Sequence, residues 1–156
     1  MNRVLFDTNI VSYWHAGDQR FKPPLHRLLG ELRRDKTAFY LSAITIQELG
    51  QWALFAGNWP ALNQFMSAAR LNVLPFCSQC ALQAAKLQAA HGPVVTKKSE
   101  REEIKAQWHH DAAIVGTAAH NGLDMVVTKD KVLASRYGAA FHEIRHIEPA
   151  ESRDCR

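Results

Sequence analysis

The chain has 156 residues, 47% apolar and 22% charged, enough for one globular domain with a substantial core and too few for a second. No window approaches the roughly 18 uninterrupted apolar residues of a membrane span, and the opening MNRVLFDTN puts polar residues where a signal peptide needs its apolar stretch, so a cytoplasmic protein without a membrane partner is expected. Nineteen Lys and Arg against 15 Asp and Glu give a formal charge of +4, and gathering several of the acids into one site would leave a surface suited to a polyanion.

Arg3 to Phe6 predicts a first strand, buried on both faces because its apolar run is continuous, with the polar DTN starting a loop or a helix cap. Asp7 then stands at the carboxyl end of a central strand, the end of an open parallel sheet where ligands collect. Tyr13 and Trp14 follow, at positions suited to helical packing or to stacking on an unpaired base. Pro23-Pro24 marks a helix entrance, and Leu25, Leu28, Leu29 and Leu32 form its apolar stripe. A turn at Arg34 to Lys36 leads to a second strand, AFYLS.

Ser42 or Thr45 can cap the helix that follows. Thr45 has Glu48 three residues on, the capping-box spacing, so capping and ligand duty compete for the Glu48 carboxylate. Trp52 and Phe55, further along that helix, are expected to be packing residues. A helix from Trp59 to Leu71 admits Pro60 in its first turn, and NVLPF holds a third strand.

Another helix, from Ser78 to about Ala90, opens on CSQC. With Cys155, the pair Cys77 and Cys80 makes three cysteines, too few for a disulfide framework. They are read as helix-start cysteines rather than a redox pair or half a zinc site, because no second cysteine pair follows. Lys97, Lys98, Arg101 and Lys105 form either a phosphate-facing flank or, diluted by Glu100, Glu102 and Glu103, a solvated mixed-charge segment.

From Ile104 an amphipathic helix runs to Asn121-Gly122. Asp111 lies three residues from both Trp108 and Ile114, beside the apolar face, where an uncompensated charge costs several kcal/mol and calls for a cation or an ordered donor. Adjacent His109 and His110 point about 100° apart, so they cannot both face a site shared with Asp111, and surface or substrate-facing roles are expected. Asp124 to Val127 predicts the fourth strand, with Thr128 and Asp130 leaving its carboxyl end and Asp130 also placed to cap the helix DKVLASRYG. Phe141 to Ile144 predicts an edge strand; residues 1–146 are taken as the domain and 147–156 as a flexible tail.

Strands alternating with helices imply a single α/β domain, its mostly parallel sheet of four or five strands flanked by helices on both faces. Asp7 and Asp130 leave strand ends, while Glu48 and Asp111 project from helices near the same rim. Four such carboxylates repel one another, and divalent ions reverse that penalty. An all-oxygen shell fits Mg2+ or Mn2+ better than zinc, and the implied chemistry is metal-assisted hydrolysis of a phosphodiester.

The segments RVLFDTN, SAITIQELG, DAAIVGTAAHNG and MVVTKD, in this order over nearly the whole chain, resemble the PIN-domain ribonucleases and, within them, the VapC-type toxins of bacterial toxin–antitoxin pairs. WHH before Asp111 departs from many relatives, as does KDKVL at Lys129 to Leu133, where an Asn and a following Phe are common. The resemblance implies that Asp7, Glu48, Asp111 and Asp130 bind Mg2+ or Mn2+ and that Asn9 and Thr128 orient those carboxylates or the attacking water. It further implies endonucleolytic cleavage of RNA, a VapB-like antitoxin as partner, and a homodimer. The competing readings are a PIN-fold nuclease acting on DNA or in RNA maturation, and an RNA-binding protein without catalysis. Arg145 and Arg153 are candidate contacts to RNA or to an acidic antitoxin tail on charge alone.

Overall fold

The computed structural model describes residues 2–92 and 101–150, with backbone alone over 101–105. The expected basic flank therefore lies outside the described residues in Lys97 and Lys98 and in the side chains of Arg101 and Lys105, as do Arg153 and Cys155.

Five strands, β1 (Arg3–Phe6), β2 (Ala38–Ser42), β3 (Leu71–Leu74), β4 (Met125–Thr128) and β5 (Ile144–His146), form one sheet in the order β3-β2-β1-β4-β5. Every neighbouring pair is parallel, and β1, at the centre, sets Leu5 opposite Tyr40 on one side and Val126 on the other. Helices α1 (Thr8–Ala16) and α2 (Lys22–Arg34) connect β1 to β2, and α3 (Ala43–Phe55) and α4 (Trp59–Ala68) connect β2 to β3. Helices α5 (Ser78–His91) and α6 (Arg101–His120) then carry the chain back past β1 to β4, and α7 (Lys131–Tyr137) leads to β5. Because parallel crossovers are right-handed, this reversal of direction puts the two helix sets on opposite faces.

The side-chain alternation of the strands divides the core accordingly. Val4, Phe6, Phe39, Leu41, Met125 and Val127 pack with the helices α1 to α4, whereas Leu5 and Val126 pack with Ala112, Val115, Leu133 and Tyr137. The four leucines of α2 are all buried, as their spacing predicts. Tyr13 stacks on Phe21, 4.3 Å between centroids, and Trp14 packs edge-on against Phe6, Phe39 and Phe65, so both serve packing.

Two expectations need correction, and an alternative left open at the start of α3 is decided. The last strand begins at Ile144, not Phe141; Phe141 is buried against the α7 side, which uses its apolar surface before the strand starts. Trp52 and Phe55 are not packing residues: they are 76% and 95% exposed, one turn apart on α3. The cap of α3 is Ser42, whose Oγ accepts from the Ile44 N–H at 3.2 Å, so Thr45 lies inside the helix and no capping box claims Glu48. Past residue 146, Ile147 is buried, and the Ala150 N–H donates to the Arg20 carbonyl at 2.7 Å. Among the described residues, no helix is long and apolar enough to cross a membrane.

Helices α5 and α6 pack antiparallel with their backbones nearly touching. A Cβ added at Gly116 would sit 2.7 Å from the Ala84 nitrogen and 2.9 Å from the Cys80 carbonyl oxygen, neither of which can rotate away. Gly116→Ala should therefore destabilise the protein by about 1–3 kcal/mol in urea denaturation, despite the better helix propensity of alanine. A variant as stable as the parent would show that the helices separate without cost.

Candidate active site

The sheet reverses its winding between β1 and β4, and the carboxyl ends of strands flanking such a reversal are where open α/β sheets bind ligands. Asp7 follows β1 directly, in extended conformation as the cap of α1, and is only 4% exposed. Its two oxygens are both occupied: Oδ1 accepts from the Thr8 N–H and Oδ2 from the Thr128 hydroxyl, each at 2.7 Å. Thr128, the buried last residue of β4, in turn accepts from the Asp130 N–H at 2.9 Å. One hydroxyl thus ties the end of β1 to the loop leaving β4.

Asp130 caps α7, its Oδ1 accepting from the N–H groups of Val132 and Leu133 at 2.7 and 3.2 Å. Its Oδ2 remains available and receives Gln107 Nε2 at 3.3 Å. Capping and a role in the site are compatible here, since they use different oxygens. Glu48, in the second turn of α3, faces α1 and α6: the Thr8 hydroxyl bonds Oε2, and His110 Nδ1 bonds Oε1. Asp111, on α6, is 8% exposed.

The acids sense one another. Burial above all raises the Asp7 pKa from its ordinary value, opposed by the bonds from Thr128 and Thr8 and reinforced by the charges of Glu48 and Asp130. Burial, then the charges of Asp7 and Asp130, push Asp111 up to about 7; Arg136 opposes this, and Glu48 adds to it. Among the described residues, no three of these carboxylates offer oxygens within 4.8 Å of one another, a spread natural to like charges. The donor set is four carboxylates with no thiol, which suits a hard divalent cation that keeps several of its waters.

Asn9 stands in the first turn of α1, half-buried, two residues beyond Asp7. Among the described residues no hydrogen bond from its side chain reaches the four acids; the neighbouring Thr8 makes the contacts expected of it. Thr8 and Gln107 escaped the sequence reading, and His110, expected at the surface or facing substrate, is exposed but also bonds Glu48. Gln107 is four residues before Asp111, a helical spacing that marks it as a neighbour on the same face. Thr8 and His110 reach Glu48 across 40 and 62 residues, and no local pattern announces such contacts. His109 turns the other way, to Gln88, at 2.6 Å.

The sequence profile of the PIN domain matches residues 4–139, and the chain belongs to that family. Its fold is similar to that of VapBC2 from Rickettsia felis bound to a DNA fragment from their promoter, at 17% identity and a TM-score of 0.63 over 92% of this chain and 97% of that one. It is likewise similar to a toxin–antitoxin complex from Klebsiella pneumoniae, with 18% identity, a TM-score of 0.59 and coverage of 93% and 98%. DNA-bound VapBC from Salmonella typhimurium gives 24%, 0.61, 94% and 98% in the same terms. No curated protein matches the chain in sequence.

Asp111 gives the acid cluster a measurable signature. A carboxyl whose folded pKa is about 7 against an ordinary 3.8 contributes stability that is full below about pH 4 and lost as the pH rises through 7. In metal-free protein, Asp111→Asn should therefore gain stability over the parent between about pH 4 and pH 8, by at most about 4 kcal/mol. Denaturation curves of the two proteins that keep a constant separation across this range would show an unperturbed carboxyl.

Proposed function

We propose that the chain is a divalent-metal-dependent endoribonuclease, hydrolysing RNA phosphodiesters, and the toxin of a VapBC-type pair acting in the cytoplasm. The observation that carries this reading is the gathering of Asp7, Glu48, Asp111 and Asp130 near enough to feel one another's charge, with Asp7 and Asp111 buried. Carboxylates gathered at one rim, each raising its neighbours' pKa, are less stable alone than with a divalent cation between them.

In this reading Mg2+ or Mn2+ is held by Asp7, Glu48, Asp111 and Asp130, and when bound it supplies a water of lowered pKa and neutralises charge on the phosphodiester oxygens. Thr128 and Thr8 fix the Asp7 carboxylate from both sides, so its oxygens are oriented before substrate arrives. Thr8 also fixes Glu48, and Asn9 lines the same turn. His110 bonds Glu48 Oε1 and the Thr8 hydroxyl bonds Oε2, so a cation held by Glu48 would share this carboxylate with both. A groove of about 510 Å³ is lined by Arg20, Lys129, Lys131 and His146 together with Glu148; Lys131 pairs with Glu148 and Arg20 with Asp18, which leaves Lys129 as the lysine there best placed to meet a phosphate.

The solved toxin–antitoxin complexes of the same fold support a small protein partner. The exposed apolar pair Trp52 and Phe55 provides surface for such a partner or for a second copy of the chain. An RNA-binding protein without catalysis is disfavoured because it has no need of buried, mutually repelling acids.

Purified protein free of partner should cut total small RNA in Mn2+ or Mg2+ and stop in excess EDTA, and Asp7→Asn should lower the rate by orders of magnitude. Cleavage retained by that variant would expose a contaminant or displace Asp7 from the site. Cleavage of DNA alone would move the reading to the DNA-directed alternative. Glu48→Gln should weaken Mn2+ binding in calorimetry while the helical circular dichroism is unchanged; equal affinity would remove Glu48 from the cation shell.

A further inference from the structure

A second group of ligating side chains lies on the far part of the α5–α6 pair. Cys77, Cys80 and His120 each place a ligand atom so that all three fall within 4.8 Å of one another, and among the described residues they are the only such trio. Cys77 is the cap of α5 and Cys80 its third residue, so the helix start turns both thiols the same way. Their Sγ atoms stand 3.4 Å apart as free thiols. His120 is the last residue of α6 and exposed, and it arrives at the pair because α5 and α6 run antiparallel at the close approach of Gly116 to Cys80.

We propose that Cys77, Cys80 and His120 form a binding site for a thiophilic divalent cation of the zinc class, with solvent completing the tetrahedron. Two thiolates and an imidazole select such an ion over Mg2+ or Mn2+. Zinc–sulfur bonds of about 2.3 Å at a tetrahedral angle place two sulfurs roughly 3.8 Å apart, so the observed pair needs only a small opening.

The surroundings of the two thiols differ. Backbone N–H groups of the helix start and the Cys80 side chain lower the Cys77 pKa, so of the two thiols it is the readier to become a thiolate. Cys80 is buried, and burial raises its pKa; its thiol points to the Pro75 carbonyl at 3.6 Å, and the Asn121 amide approaches its sulfur at 4.0 Å. That amide is a donor of the kind that steadies a metal-bound thiolate. Binding would release the Cys80 proton and clip the start of α5 to the end of α6.

This site is separate from the acid cluster. His120 lies nine residues beyond Asp111 on one helix, about 14 Å along its axis, and the inference does not depend on the nuclease reading.

The test uses full-length protein carrying Cys155→Ser, so that only the pair reports, reduced and freed of metal and then titrated with Co2+. A thiolate-to-cobalt charge-transfer band should grow to one equivalent, bleach when Zn2+ is added, and disappear in Cys77→Ser. His120→Ala should keep the charge-transfer band but weaken Zn2+ affinity by at least about tenfold, in the range seen when a ligand shell is damaged. Carboxylate-bound Co2+ gives no such band, so the acid cluster cannot imitate the result. Absence of the band, or its survival in Cys77→Ser, would overturn the proposal. So would a protein that binds no Co2+ yet loses two hydrogens in mass on mild oxidation, since the pair would then be a disulfide couple.

Discussion

Repulsion among four carboxylates is the constraint around which this domain is arranged. Asp7 and Asp111 are nearly buried, and each feels the charge of the others, so the folded state carries an unfavourable interaction that a simple core would not contain. The neighbouring groups limit it chiefly by satisfying individual oxygens, with the Arg136 charge opposing the shift at Asp111. Thr128 and the Thr8 N–H hold Asp7, the Thr8 hydroxyl holds Glu48, and the start of α7 holds Asp130. None of these bonds reaches Asp111, and burial, with the charges of Asp7 and Asp130, pushes its pKa up to about 7.

The topology makes the convergence possible. Reversal of winding between β1 and β4 brings the ends of two strands 121 residues apart into hydrogen-bond contact through Thr128 and Asp7. The two helical acids are brought in by a second buried contact, Ser42 Oγ to Thr117 Oγ1 at 3.2 Å. Ser42 caps the helix bearing Glu48, and Thr117 lies on the helix bearing Asp111, so one hydroxyl pair fixes α3 against α6. Small residues on α6 allow this closeness, with Ala112, Ala113, Gly116 and Ala118 facing the sheet or α5 where larger side chains would hold the helix away.

What was legible in the sequence divides along the same line. The apolar runs of β1, β2 and β4 and the leucine stripe of α2 are local patterns, and each gave its element within a residue or two. The acids were visible because each stands at an element's end or beside an apolar face. Their partners were not: Thr8 meets Glu48, and His110 meets it from α6, only through packing between separate elements. Trp52 and Phe55 show the converse failure, since apolar character identifies residues that gain from burial without saying whether this chain alone provides it. CSQC was incomplete as a motif because its third group, His120, is 40 residues beyond Cys80 and joins it only through the antiparallel pairing of α5 with α6.

The same helix, α6, thus joins two centres of opposite chemistry. Near its middle, Asp111 belongs to an all-oxygen group, hard and mutually repelling; at its end, His120 meets two sulfurs, soft and partly shielded. Were both centres to bind metal as proposed, ligand softness would separate the ions they take, hard at the carboxylates and thiophilic at the sulfurs. Their mechanical roles differ as well. The acid cluster strains the fold at the rim, whereas a cation on the thiols would restrain α5 against the very helix that positions Asp111, and rigidity at that end opposes the outward displacement that like charges favour at the other.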